Sequence, residues 1–215
     1  MTTNPITARV ALEVACHEAV IRQTYKDSVG VLTWSVGLTN ATGHDVTRYI
    51  GKPASLQHCL EIFIWALERY AAEVRQAFAG HQLTEAQFAA ALSFHWNTGA
   101  IKLASWVKRW KSGDVKGARA NFMLYNKPAE IIERRKAERD LFFDGIWSNR
   151  GTMPEYTRLT KRMTPVWSSR VERDVRAEIE ALLAPKAPSV SLTPRPEQAS
   201  GFFAAIAAFI ARFFK

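Results

Sequence analysis

The stretch that decides the fold runs from Glu18 to Thr33 and reads EAVIRQTYKDSVGVLT. It contains two carboxylates and a hydroxyl, with eight residues between Glu18 and Asp27 and five between Asp27 and Thr33. Asp27 belongs to the polar turn signal KDSVG, so we expect it to be solvated and ionised. Two carboxyl groups in contrasting environments can divide the acid and base roles needed to split a glycosidic bond.

The residues before Glu18 predict a helix that continues to Ile21. Asn4 can cap this helix and Pro5 suits its first position. Its apolar residues recur at helical spacing, namely Ile6, Val10, Val14 and Ile21. Glu18 would then lie at the edge of the apolar stripe, where lost hydration favours the neutral carboxyl that a general acid requires. A Glu–Asp pair alone is weak support, because most such pairs are surface residues.

Later motifs supply the context that the two carboxylates lack. In chain order they are Gly30 and Gly37 around the E-x8-D-x5-T pattern, Leu83-Thr84 with Gln87-Phe88, SFHWNTG at residues 93–99, and Arg134-Arg135 with Glu138. With these motifs, residues 5 to 147 resemble the phage-type lysozymes of glycoside hydrolase family 24. The resemblance implies an α+β fold that is predominantly α. We expect two lobes, with a small antiparallel sheet, a long connecting helix and a helical lobe, and a cleft between them.

The resemblance implies a role for each of the three groups in the opening stretch. Glu18 is the expected general acid, Asp27 the general base, and Thr33 the hydroxyl beside the water that Asp27 activates. From the residues alone, a strand threonine chosen for its β-branch is the plainer interpretation of Thr33. Related transglycosylases, which form an anhydro-sugar without water, generally lack the aspartate. Asp27 therefore favours hydrolysis.

Three more residues are substrate-binding candidates through the resemblance: Tyr25, Asn97 and Arg134. Asn97 falls at a predicted helix end, so a helix cap is the alternative role. Arg134 is the arginine expected beside Glu18, with Arg135 as its rival. The run ERRKAERD could instead be a solvated basic face.

The chain departs from the family pattern at three positions near the expected cleft. Ala19 follows the glutamate where glycine is usual, Ser35 replaces the first glycine of Thr-x-Gly-x-Gly, and Leu38 stands where histidine is common. Each change adds bulk or removes a polar group. We expect them to affect subsites and rate, since the catalytic groups themselves are present.

Local patterns predict the remaining elements of the proposed catalytic domain, residues 1–147. They are a strand at residues 31–36, a small sheet with loops at 38–52, a long helix at 56–79 ended by Gly80, a helix opened by a Thr84–Gln87 capping box, two helices separated at 112–114, and a helix from Pro128 to Phe143.

Residues 148–215 extend beyond the resemblance and divide into three parts. In residues 148–183, Trp167, Val171, Val175, Ile179 and Leu182 recur at helical spacing, which predicts one further helix packed on the catalytic domain. Four prolines in residues 184–200 indicate an extended linker.

Residues 201–215 predict an amphipathic helix. Its apolar face comprises Phe202, Phe203, Ile206, Phe209, Ile210, Phe213 and Phe214. As a helix, residues 202–215 rise about 21 Å, which is less than the ~30 Å core of a bilayer. We expect this face to lie in the interface of an anionic membrane or of lipopolysaccharide. The alternative is a helix docked on the protein's own surface or on a second copy.

Composition limits the partners. The net charge of +9 favours polyanions, but no basic block is interleaved with exposed aromatics, so nucleic acid is disfavoured. His17-Glu18 is not followed by a second histidine at Ile21, so no zinc site and no cofactor is predicted. Cys16 and Cys59 are expected as reduced thiols, with a disulfide as the alternative.

These observations predict a monomeric, endolysin-like muramidase that acts on bacterial peptidoglycan. Charged residues interrupt the first apolar run, so no signal peptide is predicted. We expect the enzyme in the host cytoplasm before lysis and in the periplasm when it acts. The alternative is a membrane-permeabilising protein whose lysozyme fold serves as a wall-binding module.

Overall fold

The computed structural model describes residues 4–27 and 30–184. The helices are α1 (Ala8–Ala15), α2 (Leu56–Ala77), α3 (Glu85–Thr98), α4 (Ser105–Lys111), α5 (Val115–Phe122), α6 (Ile132–Asp144) and α7 (Arg176–Leu183). The strands are β1 (Ile21–Lys26), β2 (Leu32–Ser35), β3 (Leu38–Thr39), β4 (Thr152–Tyr156) and β5 (Arg170–Asp174). The predicted α+β class with a predominance of helix is confirmed for these residues.

Residues 185–215 lie outside the described part of the chain. The linker and the membrane-binding candidates of the tail therefore remain predictions from sequence. Among the described helices, none has the length and apolar character needed to cross a membrane.

The first helix is shorter than predicted. Thr7 caps it by accepting a hydrogen bond from the Val10 N–H, while Asn4 instead donates to the Leu83 carbonyl. The helix ends at Ala15, and Ile21 opens strand β1. Ile21 misled the prediction because its distance from Val14 fits two helical turns, although the segment that follows it is extended.

The three-stranded sheet has the order β1-β2-β3, with both pairs antiparallel. An aromatic stack backs it, in which the rings of Trp34 and Tyr49 lie 3.8 Å apart and nearly parallel. The Tyr49 hydroxyl hydrogen-bonds His58 Nε2 at 2.8 Å. Since His58 lies in the first turn of α2, this contact ties the sheet to the long helix.

The helical part follows its sequence signals closely. Helix α2 covers almost the whole predicted range, and both halves of the Thr84–Gln87 capping box are formed at α3. Gly113 separates α4 from α5 as predicted. Helix α3 packs against α1, α2 and α6. The hydrophobic core around α3 includes the fully buried Phe94 of α3 and Trp106 of α4, whose rings meet edge to face at 5.3 Å.

The sequence predicted a single helix within residues 148–183, and this prediction is wrong. Strands β4 and β5 form an antiparallel pair, and only Arg176–Leu183 is helical. Val171 lies in β5 and Trp167 in the short 3-10 turn before it, and both are exposed. The prediction failed because a spacing of four residues suits one face of a strand as well as one face of a helix.

The extension, residues 148–183, is hydrogen-bonded to the outer edge of β1. The Val20 N–H donates to the Pro154 carbonyl at 2.9 Å, and the Tyr156 N–H donates to the Val20 carbonyl at 3.2 Å. At the other end of the strand, the Lys26 N–H donates to the Met163 carbonyl at 2.7 Å. The extension is therefore attached to the segment that joins the two candidate catalytic carboxylates.

Candidate active site

Asp27 and Thr33 are both held by hydrogen bonds to Val31, which lies between β1 and β2. The Asp27 N–H donates to the Val31 carbonyl at 3.1 Å, and the Val31 N–H donates to Asp27 Oδ1 at 2.8 Å. The Thr33 hydroxyl donates to the same Val31 carbonyl at 3.1 Å. Thr33 is only 4 % exposed and pairs with Tyr25 across the strands. One carbonyl thus links the candidate base to the candidate water-holding hydroxyl.

Glu18 lies just beyond α1, in the turn that leads to β1. Its side chain is 19 % exposed, and its Oε1 accepts a hydrogen bond from Arg134 Nη1 at 2.5 Å. Its Oε2 lies on the side of Gly37, where a Cβ would come within 3.5 Å. Gly37 has φ +79°, so a side chain there would be strained as well as close to the carboxyl.

The pKa of Tyr25 is affected by both candidate catalytic carboxylates. Burial raises the pKa of the Tyr25 hydroxyl, and the negative charges of Glu18 and Asp27 raise it further. Both charges therefore contribute to the electrostatic environment of this one hydroxyl. The prediction that Tyr25 binds substrate stays a prediction, but its place beside the two carboxylates is compatible with it.

Glu18 is one end of a largely buried network in which carboxylates and guanidinium groups alternate. Besides Glu18, the Arg134 guanidinium reaches Glu138 Oε1 at 2.9 Å, and the other oxygen of Glu138 accepts from Arg135. Arg135 Nη2 donates to Asn97 Oδ1 at 2.6 Å. A continuous chain of hydrogen bonds therefore runs from Asn97, at the end of α3, to the candidate acid.

The two adjacent arginines divide the roles that the sequence left open. Arg134 faces Glu18, whereas Arg135 is fully buried between α6 and the rest of the helical part. Burial opposes the charge of both. The carboxylates of Glu18 and Glu138 outweigh it at Arg134 and raise its pKa, but burial dominates at Arg135 and lowers its pKa. The interpretation of this run as a solvated basic face is wrong for these two residues.

The sequence departures have visible consequences. Ser35 adopts φ +55°, a left-handed conformation that favours the glycine usual there, and its hydroxyl donates to the Cys59 carbonyl at 2.9 Å. Leu38 is fully buried in the core. The Leu38 side chain therefore acts in packing.

Cys16 and Cys59 are both free thiols.

A second cluster lies on the side of Glu18 that faces the extension. Glu13 is fully buried, and its carboxylate accepts hydrogen bonds from the backbone and side chains of Ser148 and Asn149. Together with Cys16 and His17 it forms a set of potential metal ligands within 4.8 Å. Because the Glu13 oxygens are already satisfied by the extension, we interpret the cluster as the anchor of that segment.

Comparisons with known proteins identify the family and the fold. The family described as phage lysozyme matches residues 15–138. A search of curated proteins gives no significant match. Three similar solved structures are an endolysin from Escherichia coli O157:H7 phage FAHEc1 (TM-score 0.61, 20% identity, 67% of this chain and 97% of that one), a mutant of the P22 lysozyme (0.54, 20%, 66% and 99%) and the muramidase domain of SpmX from Asticaccaulis excentricus (0.54, 19%, 64% and 97%).

The chain belongs to the phage lysozyme family, and it is a glycoside hydrolase that acts on peptidoglycan. The expected lysozyme-like fold is confirmed by the likeness to the solved structures. The family match ends before residue 148, so the extension lies outside it.

Sequence reasoning missed three parts of the site. In the sequence, Glu138 and Ser93 are members of motifs with no predicted role. In the structure both side chains are buried, and the Ser93 hydroxyl donates to Glu138 Oε1 at 2.6 Å. The available signal was the RRKAE run, in which a carboxylate follows two arginines by three and four residues. The third part, the contact of the extension with β1, had no local signal.

Proposed function

We propose that the chain is a muramidase that hydrolyses the β-1,4 bond between N-acetylmuramic acid and N-acetylglucosamine with inversion. Glu18 is the general acid, Asp27 the general base, and Thr33 helps to hold the attacking water. The observation that carries the proposal is that each carboxylate has a defined partner: Glu18 is bonded to Arg134, and Asp27 is bonded to the N–H of Val31, whose carbonyl also binds the Thr33 hydroxyl.

The two carboxylates have different hydrogen-bond partners, which supports the proposal of separate acid and base roles. Within the described residues, the only hydrogen bond to the Glu18 carboxyl comes from Arg134 and goes to Oε1. Oε2 is thus the oxygen suited to hold the proton that is given to the glycosidic oxygen. The Asp27 carboxylate is oriented by the hydrogen bond that its Oδ1 accepts from the Val31 N–H. General acid–base catalysis of this kind contributes about 10²–10⁴-fold in rate.

The proposed reaction uses one water and no covalent intermediate. The proton of Glu18 moves to the glycosidic oxygen as the bond from that oxygen to C1 of the muramic acid breaks. Asp27 takes a proton from water while the water oxygen bonds to C1 on the opposite face. The new reducing end carries the inverted configuration, and exchange with solvent restores both carboxyl groups.

Replacing Glu18 by Gln tests the assignment of the acid. Glu18→Gln keeps the size and can accept from Arg134, but it cannot donate the catalytic proton. We expect folded protein with digestion of purified peptidoglycan reduced at least about 100-fold. Glu133→Gln on α6 is the matched control, because Glu133 is 83 % exposed. A Glu18→Gln protein as active as this control would remove the assignment.

The stereochemical part has its own test. Inversion requires the carboxyl groups to stand roughly 6.5–9.5 Å apart, against about 5 Å for retention. Proton NMR of the first product anomer distinguishes the two outcomes. Trapping a glycosyl adduct on Asp27 would show that this residue is a nucleophile instead.

We also propose that residues 201–215 bind anionic membranes, on the basis of the phenylalanine and isoleucine periodicity and the basic residues Arg212 and Lys215. In this proposal the enzyme waits in the host cytoplasm, acts in the periplasm, and can disturb a bacterial outer membrane from outside. Deleting residues 201–215 should abolish leakage of anionic vesicles while digestion of isolated peptidoglycan continues. Equal leakage by the truncated protein would contradict the membrane role.

A further inference from the structure

The pocket beside Asp27 is built from two parts of the chain that are distant in sequence. It has a volume of about 330 Å³ and is lined by Tyr25, Lys26, Asp27, Thr164, Pro165 and Trp167. Tyr25 and Lys26 are the last residues of β1, and Asp27 directly follows that strand. The other three belong to the loop between β4 and β5, beyond the residues that match the lysozyme family. The extension therefore adds a wall to the active site.

This wall is held in place by backbone hydrogen bonds. Met163, just before the pocket residues, has φ +64° and turns its carbonyl to accept from the Lys26 N–H at 2.7 Å. The turn is closed by the Thr160 N–H, which donates to the Thr164 carbonyl at 2.8 Å. Left-handed conformations of residues other than glycine are unfavourable and occur often at functional sites.

Glu155 fixes the extension to β1 through charge. It is 1 % exposed and lies between two arginines, with Arg22 of β1 at 2.8 Å and Arg173 of β5 on its other oxygen. A carboxylate buried between cations from both segments strongly resists their separation. The loop that bears Trp167 is thus positioned relative to Asp27 by contacts on both sides.

Trp167 is the notable side chain of the wall, because it is 74 % exposed. Its ring meets Tyr156 edge to face at 5.3 Å, which orients the indole while leaving most of its surface in solvent. An oriented, exposed tryptophan in a pocket that also contains a catalytic carboxylate indicates a surface that a ligand covers.

We propose that this pocket is an additional carbohydrate subsite, in which the Trp167 indole stacks on an N-acetylhexosamine of the glycan strand bound at Glu18 and Asp27. The proposal rests on the proposed function. A pyranose ring has an apolar face of C–H groups and a polar rim. The pocket offers the matching pair of surfaces, with Trp167 and Pro165 as the apolar part and Lys26 and Thr164 as polar groups.

Peptide-free glycan strands of defined length, prepared from peptidoglycan, provide the test. Losing one aromatic stacking contact should lower kcat/KM by about tenfold for strands long enough to fill the pocket. For the shortest strand that is cleaved, kcat/KM should change by less than about twofold. Trp167→Ala should show this pattern and Trp167→Phe should recover most of the activity. Trp65→Ala is the matched control, since Trp65 is an exposed tryptophan outside the pocket.

A binding measurement separates the subsite from a purely structural effect. In the Glu18→Gln protein, adding Trp167→Ala should raise the Kd for a long strand about tenfold by calorimetry, with the melting temperature unchanged. An equal loss at every strand length, or a loss confined to substrates that still bear stem peptides, would overturn the subsite. Inactivity of the wild-type protein would instead refute the proposed function. An active wild type with a normal Trp167→Ala variant refutes only the subsite.

Discussion

Replacing Glu138 by Gln tests the idea that buried charge organises the active site. Glu138 is fully buried, and its two oxygens accept from Arg134, Arg135 and Ser93. The amide of Glu138→Gln has nearly the same shape but carries no charge, and its NH₂ group would face a guanidinium. The two arginine side chains are at most 11 % exposed, and of their ion pairs within the described residues only that of Arg134 with Glu18 would then remain.

The expected loss is large. Removing one partner of a buried ion pair costs about 3–5 kcal/mol, because a charge is left without compensation. For a unit of this size, 1 kcal/mol lowers the melting temperature by about 2–4 °C, so the expected decrease is about 6–20 °C. We also expect weaker wall digestion below the melting range, because Arg134 loses the support that holds it against Glu18.

Thermal and urea unfolding, together with peptidoglycan digestion, measure these effects. Glu133→Gln, five residues earlier on the same helix, is the control: its exposed ion pair with Lys136 should contribute less than about 1 kcal/mol. If Glu138→Gln and Glu133→Gln lose the same small amount of stability, the network does not support the site.

Two more predictions concern stability against pH and thiol reactivity. Burial alone would raise the pKa of Glu13, but hydrogen bonds from His17, Ser148 and Asn149 lower it to about 2; its contribution is therefore complete above pH 4.5 and is lost as the pH falls toward 2. For His17, burial alone would lower the pKa, but hydrogen bonds with Cys16 and Glu13 raise it to about 9, so its contribution is complete below pH 6.5 and is lost as the pH rises through 9. Urea unfolding should thus show the greatest stability between about pH 4.5 and pH 6.5. Glu13→Gln should remove the loss of stability at low pH. A stability that does not vary with pH would contradict this reasoning. Burial raises the pKa of the Cys59 thiol to about 12, so a thiol reagent at pH 7 should reach it only after denaturation, and rapid labelling of native Cys16→Ser protein would refute its burial.

The helices with strong local signals could be predicted from sequence. Gly80 marks the end of α2 and the Thr84–Gln87 capping box marks the start of α3, and both signals depend on neighbouring residues alone. Strand β1 was missed because Ile21 also fits the period of α1. The extension was misinterpreted because its regular spacing of four residues does not distinguish a helix from a strand.

The candidate site shows a similar division. The spacing of Glu18, Asp27 and Thr33 is a local pattern, so sequence could identify it. The pairing of Arg134 with Glu18 depends on how α6 packs beside the turn after α1, which no local pattern specifies. The wall that carries Trp167 is harder still to foresee, since backbone hydrogen bonds attach it to β1 and these leave no trace in side-chain identity.

The backbone bonds between Val20 and the Pro154–Tyr156 segment have a consequence for how the protein is made. The edge of β1 lies near the start of the chain, but its partners are translated near the end of the described part. Pairing between such distant segments is slow to form, since much of the chain must first be ordered. We expect a nascent chain that stops before the extension to expose this strand edge and to be prone to association. Completion of the sheet, and with it of the pocket beside Asp27, then requires residues 154–167 to have been translated.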